Sequence, residues 1–428
     1  MKRNITVLDN GLRVCITKEA CKKVGCAAAF RAGTVYERCG ERGITHMAEH
    51  MMFRRLGGTP QRELYMQTRR MGTNMRGSTY RDMLYFGISA CKGELDNQLK
   101  LIGSIFQTPQ WTQSDFVQER KVVFKQISNR YYGQIERYIF EKYMPENIGG
   151  YIMGGQSDVE ALTLEQLMRF HREMISTENA CAVIYGDLSK DDITNALRQL
   201  ESIKPAEKEA KPWDDNAAVI FGGAEAGRKA GVQYCAGDGY AADLEILLGF
   251  DGAYARSAEL LSAALGMGDG AELAMQLREN DAITDDADSY VEKTGNFAYM
   301  SINAYVQNEY LSEALSRING TLCDIRERWD RNTFQKHRDY LEAWTRLNCA
   351  GDPHQECLTA ARNGFILQEG VFGIDELAGA YRDIRYEDFC AFTQKTIRGD
   401  NLQTVLSGAE RTVCSKKVQR QVEALRRL

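Results

Sequence analysis

The sequence predicts an α+β protein of two homologous domains, each a mainly antiparallel sheet packed with helices. Three observations carry that expectation. The chain has 428 residues, more than a single hydrophobic core usually organises. A charged stretch at 204–216, KPAEKEAKPWDDN, holds Pro205 and Pro212, two of only six prolines, and splits the chain into nearly equal halves. The halves also read alike, with runs of strand-like segments mixed with runs of helical ones rather than strict alternation.

The elements follow in order. Strand patterns occur at LRVCITKE (12–19), CAAAFRAGTVYE (26–37) and DMLYFGISA (82–90), and helical patterns near 93–107 and 112–132. A helix near 163–175, a strand at 180–187 and a helix from 189 complete the first half. The second half opens with GVQYCAGDGY (231–240) and LEILLGFDG (244–252), then strands at 282–291 and 297–305 and helices from 309 to about 349. A strand near 402–407 and a basic final helix, CSKKVQRQVEALRRL, close the chain; the basic run reads as a solvated helix face. The expected organisation is a domain at 1–203, a linker at 204–228 and a homologous domain at 229–428.

Composition narrows the function class. With 43% apolar and 26% charged residues the chain is an ordinary globular one, and a formal net charge of -5 offers no basic face for nucleic acid. The start, MKRNITVLDNGLRV, lacks the continuous apolar run of a secretory signal, and no stretch of about eighteen apolar residues suits a membrane span. Twelve cysteines fall into no CxxC pair, so reduced thiols in a cytoplasmic protein are expected.

Of only five histidines, two stand four residues apart in GITHMAEHMMFRR. On a helix, His46, Glu49 and His50 share one face. Two imidazoles at this spacing can ligate one zinc ion, with the carboxylate beside its water; the order is H-x-x-E-H. The plainer alternative is a surface helix that happens to carry these three residues.

The surrounding residues, GITHMAEHMMF followed by GGTP, resemble the zinc helix of the pitrilysin/insulinase family of metallopeptidases. The similarity continues through MGTNMRGSTYRDMLYF, FVQERKVVFKQI and the long stretch GGYIMGGQSDVEALTLEQLMRFHREMISTENACAVIYGDL. It reaches LGFDGAYARSAELLSAALGMG and LRENDAIT in the second half, so it spans nearly the whole chain in order. The length matches half-size members, which have two homologous domains and work as dimers. The resemblance implies zinc binding by His46 and His50, with Glu49 as general base. The family's third ligand is a glutamate near the end of an E-R-x-V-x-x-x-E helix. Glu119 and Arg120 match its opening, but Gln126 occupies the ligand position, and a neutral amide leaves the site more positive. Glu119 lies about 10 Å away along a helix, so it cannot simply take Gln126's place. It resembles a family carboxylate that orients ligands; the alternative is a solvated helix residue.

The resemblance also implies a substrate-gripping arginine, Arg278, and a tyrosine seven residues on, where Asp285 stands; Tyr290 is five residues too far for a silent replacement. Arg76, Gly77 and Ser78 align with the strand whose backbone pairs with an extended peptide, and Arg76, in place of a polar amide, points toward acidic peptides. Two functions follow. One is a zinc endopeptidase subunit that cleaves short unfolded peptides, such as modified-peptide leaders, in a dimer chamber. It would act as a homodimer or with a related subunit that supplies the intact arginine–tyrosine pair, as the mitochondrial processing peptidases divide their labour. The other is a weakly active or inactive scaffold or peptide-binding subunit.

Overall fold

The computed structural model describes residues 2–128, 135, 139–140, 150–204, 232–236 and 239–428. The linker expected at 204–228 lies outside these residues apart from Lys204, as does the end of the helix expected at 112–132.

Six strands form the first sheet: β1 (Lys2–Val7), β2 (Arg13–Lys18), β3 (Lys23–Phe30), β4 (Arg76–Thr79), β5 (Leu84–Cys91) and β6 (Ala180–Gly186). They lie in the order β1-β2-β6-β3-β5-β4. Only β2 and β6 run parallel; all other neighbours are antiparallel. One face packs on helices α1 (Ile44–Arg54), α2 (Gln61–Arg70), α3 (Leu95–Ile105), α4 (Gln113–Ile127), α5 (Gln156–Ala161), α6 (Leu164–Met174) and α7 (Lys190–Glu201). Val14, Ile16, Ala28, Phe30 and Phe86 supply the sheet's side of that core. Helix starts carry their own signals. Thr112 with Asp115, Thr163 with Gln166 and Ser189 with Asp192 make reciprocal capping boxes at the first turns of α4, α6 and α7.

The second sheet repeats this plan. Its strands are β7 (Val232–Ala236), β8 (Ala241–Asp251), β9 (Ala287–Thr294), β10 (Phe297–Gln307) and β11 (Leu402–Gly408), in the order β9-β10-β8-β11-β7. Here too the last strand, β11, is parallel to the first, β7, and antiparallel to the second, β8. Strand for strand this is the order β4-β5-β3-β6-β2 of the first sheet, which makes the likeness of the two halves a likeness of topology. The helices include α8 (Ala255–Gly266), α9 (Leu311–Glu327) and α10 (Arg331–Cys349). The helical stretch expected from 309 to 349 is thus two helices broken around Trp329.

The compact units are not the halves of the sequence. Thr345–Leu377 belongs with the first unit, although the sequence reading places it in the second half. Within it, α11 (Pro353–Thr359) and the π-helical turns Ala360–Ile366 pack on β3, β5 and β6. Cys357, Ala360, Ala361 and Phe365 cover Cys15, Ala27, Ala29, Tyr85 and Val183 on the sheet's second face. That explains the unbroken apolar run at Cys26–Phe30: a strand buried on both faces need not alternate. Pro353 approaches so closely that a Cβ on Gly25 would sit 2.8 Å from its Cβ. The strand expected at 26–37 accordingly starts earlier, at Lys23, and stops at Phe30, before a 3-10 turn at Thr34–Tyr36. The strand expected at 282–291 falls at Ala287–Thr294. Tyr386–Thr396 (α12) and Lys416–Leu425 (α13) belong to the second unit.

Candidate metal centre

Helix α1 starts without a local capping side chain, at Gly43 in the left-handed region with φ 82. Its first N–H groups are satisfied from upstream: Gly43 N donates to Glu37 Oε2 at 3.0 Å and Thr45 N to Oε1 at 3.1 Å. Burial pushes the Glu37 carboxyl up to about 7 despite those two donors. Ile44, Met47, Ala48 and Met51 turn into the core, so His46, Glu49 and His50 are left on the opposite face.

The histidine rings lie edge to face with centroids 4.6 Å apart. Their partners come from α4. His46 Nε2 is 3.2 Å from Gln126 Oε1, and His50 Nδ1 is 2.9 Å from Glu119 Oε1. Pairing 46 with 126 and 50 with 119 means that the two helices run antiparallel. Glu119 is 6% exposed, and its second oxygen lies 3.3 Å from Arg54 Nε. Through Nδ1 Glu119 fixes the His50 ring, and the ring's Nε2 has no side-chain hydrogen-bond partner among the described residues. Burial, helped by the neighbouring His50, pushes His46 down to about 4, so its ring is neutral at pH 7.

Glu49 is held by the edge strand. Thr79 Oγ1 donates to Glu49 Oε2 at 2.6 Å, and His46 Nδ1 lies 3.9 Å from the same oxygen. Burial raises the Glu49 pKa above the ordinary carboxylate value, with Thr79 and His50 opposing. A Cβ on Gly77 would sit 2.8 Å from Glu49 Oε1 and 2.6 Å from Phe53, so only glycine lets β4 lie this close to α1.

One pair of donors has the spacing that ligands of a divalent ion would have. Two donors about 2.1 Å from a tetrahedral zinc lie roughly 3.4 Å apart, close to the 3.2 Å between His46 Nε2 and Gln126 Oε1. The set is two imidazoles and an amide oxygen. Among the described residues no group of three or more His, Cys, Asp or Glu is placed to hold a metal ion.

The structure therefore brings together His46, Glu49, His50, Glu119, Gln126 and Gly77. Arg76 and Ser78 also lie on β4, but in a strand that turns Gly77 and Thr79 toward Glu49 they face the other side of the sheet. Arg278 lies in the second unit, half-exposed in the π-helical turns Ala274–Glu279, 3.2 Å from Glu279 and 3.5 Å from Asp269. Asp285 is exposed just before β9, and Tyr290 sits within β9 against the Tyr299 ring. Sequence reasoning missed Glu37 and Thr79. Glu37 is six residues before Gly43, outside any capping-box spacing. Thr79 carried a signal in the strict alternation with Gly77. A cavity of ≈ 900 Å³ lined by Lys100, Ser104, Arg172 and Ser202 includes none of the predicted site residues.

Two family profiles match the chain: Insulinase (Peptidase family M16) over residues 13–144, and Peptidase M16 inactive domain over 161–341. The chain belongs to peptidase family M16. Among M16 relatives, Zinc protease PqqE of Helicobacter pylori is 24% identical over 220 residues, 49% of either chain. Mitochondrial-processing peptidase subunit beta of Dictyostelium discoideum is 20% identical over 46% of this chain and 43% of its own. An uncharacterized zinc protease of Rickettsia felis is 22% identical over 48% of this chain and 51% of its own. This chain spans about half the length of the curated relatives it matches. The fold carries further. A protease from Helicobacter pylori superposes with a TM-score of 0.80 at 17% identity, covering 95% of this chain and 99% of that one. A peptidase M16 inactive domain from Pseudomonas fluorescens gives 0.78 at 15% identity over 96% and 98%. No helix among the described residues is long and apolar enough to cross a membrane.

Proposed function

We propose that this chain is a zinc metallopeptidase subunit that hydrolyses short unfolded peptides, working in a dimer chamber with a related family subunit. The observation that supports the reading is Glu49 on one helix face with His46 and His50 and hydrogen-bonded to the edge strand β4. His46, His50 and Gln126 would hold the zinc, and Glu119 would orient His50. When bound, zinc supplies Lewis acidity, lowering the pKa of a water and polarising the scissile carbonyl. Glu49 Oε1, the oxygen not engaged by Thr79, takes the proton from the attacking water and passes it to the leaving amine. Its raised pKa suits both halves of that transfer. The peptide adds to β4 as a further strand, with Gly77 keeping the backbone within reach of Glu49. The related subunit would supply the intact arginine–tyrosine pair, of which this chain has Arg278 but Asp285 in the tyrosine's place. Buried thiols at Cys15, Cys26, Cys181 and Cys357 suit a reducing cytoplasm.

A second reading has its own support. The neutral Gln126 and the carboxylates already beside Arg278 favour a weakly active or inactive peptide-binding subunit. Zinc content and peptide cleavage of the chain, alone and mixed with a related subunit, separate the two. The peptidase reading expects one zinc per chain and cleavage abolished in Glu49→Gln with zinc retained. Zinc-free protein at micromolar metal, or unchanged cleavage by Glu49→Gln, refutes it.

A further inference from the structure

β4 is the outermost strand of its sheet, and its two faces carry different chemistry. Gly77 and Thr79 turn to Glu49, so Arg76 and Ser78 turn to the face that α11 covers. The register agrees. Arg76 pairs with Gly87 and Ser78 with Tyr85, and Tyr85 belongs to the core on that second face. A Cβ on Gly87 would sit 2.5 Å from the Tyr85 hydroxyl, so the phenol extends over Gly87, the residue across from Arg76. The Tyr85 ring meets His354 of α11 edge to face, with centroids 5.9 Å apart.

None of these three polar groups is spent. The exposed Arg76 side chain makes no hydrogen bond or ion pair among the described residues. The half-buried His354 has no side-chain hydrogen bond among them. The Tyr85 hydroxyl is buried without a partner, a rare condition for such a group. The nearby charges are already engaged. Asp352 accepts from the His354 and Gln355 backbone N–H groups at the start of α11, and Arg362 is paired with Asp82 and stacked on Tyr80. Arg76 acts electrostatically on both His354 and Tyr85, which places the three groups in one neighbourhood.

We propose that Arg76, with His354 and the Tyr85 hydroxyl beside it, forms a carboxylate-binding subsite behind the edge strand, and that this chain selects acidic peptides. The inference rests on the reading of β4 as the strand that pairs with substrate. A peptide added to β4 alternates its side chains between the two faces, so every second one passes Arg76 rather than Glu49. A planar guanidinium matches a carboxylate with two parallel hydrogen bonds, and it repels a lysine or arginine at the same place. The carboxylate is either an Asp or Glu side chain or the C-terminus of the peptide.

The test is equilibrium binding of fluorescent decapeptides to the full chain carrying Glu49→Gln, which keeps the peptides intact. Glu, Gln and Lys are scanned through each position, with C-terminal acid and amide versions of every peptide. At one position Glu should bind about tenfold tighter than Gln, a difference of about 1.4 kcal/mol. Arg76→Gln should erase that preference and leave the Gln peptide unchanged, and Arg76→Glu should favour Lys. A preference that follows the C-terminal acid instead assigns the carboxylate to the end of the peptide. Peptides bound without acid preference, or a preference that survives Arg76→Gln, overturn the subsite while the pairing strand stands. No binding of any peptide overturns both.

Discussion

Exchanging Gln126 for Glu alters one polar atom and adds one unit of charge at a point 3.2 Å from His46 Nε2. Gln126 is half-buried on α4 and the side chains have the same shape, so the packing around Val123 and Phe116 is undisturbed. Two effects follow. In the metal-free chain, a carboxylate this close favours the charged imidazolium, and the His46 pKa should climb from about 4 by roughly 1–3 units. In the zinc-loaded chain the donor set gains a negative charge. Direct Coulomb attraction at about 2 Å is large, but desolvating the carboxylate offsets most of it. A net gain of roughly 10–100-fold in zinc affinity remains, about 1.4–2.7 kcal/mol. Competition with a chromophoric chelator reads the affinity, and histidine-resolved NMR titration reads the pKa. Unchanged zinc affinity together with an unmoved His46 would refute the placement of Gln126 at the metal.

Two further predictions concern what holds the site. Glu37 carries a folded-state pKa of about 7 against an ordinary 4.5, because burial outweighs the Thr45 and Gly43 N–H donors. Between those values the folded chain keeps a proton that the unfolded chain releases. The associated stability is therefore fully present below pH 4.5 and lost as pH rises through 7, by up to about 3 kcal/mol. Denaturation series from pH 4.5 to 8 should show a slope shallower by about one proton in Glu37→Gln; identical slopes would show that Glu37 titrates normally. Arg362→Met leaves Asp82, 2% exposed, without its partner at 2.7 Å, at a cost of about 3–5 kcal/mol. The double variant with Asp82→Asn should recover part of that loss, and a single-variant cost under about 1 kcal/mol would contradict the pairing.

What could be read from the sequence was whatever local spacing determines. His46, Glu49 and His50 share a helix face by periodicity alone, and across the seven-residue step on the facing helix Glu119 meets His50 while Gln126 meets His46. The strands were legible where β-branched and aromatic residues cluster, as at 82–90, and overrun after Phe30, where Gly33 marks the turn that follows β3. What escaped was contact across long stretches of chain. His354 beside Tyr85 and Arg362 on Asp82 join positions about 270–280 residues apart, and neither spacing nor composition encodes such pairs. The Glu37 cap escaped for a different reason: it works over a bent loop rather than the three-residue reach of a capping box.

The return of Thr345–Leu377 to the first sheet has a consequence for biosynthesis. A nascent chain that has emerged as far as residue 204 contains every residue of the proposed zinc site. It still lacks the lid over Cys15, Ala27, Ala29, Tyr85 and Val183. That apolar sheet face stays uncovered until Phe365 leaves the ribosome, some 160 residues later. At roughly 5–20 residues per second this is a wait of about 8–32 s, during which a chaperone would find an open β-surface to occupy. The unit that would do the chemistry is thus closed only after residues 218–344 of the second unit have been made.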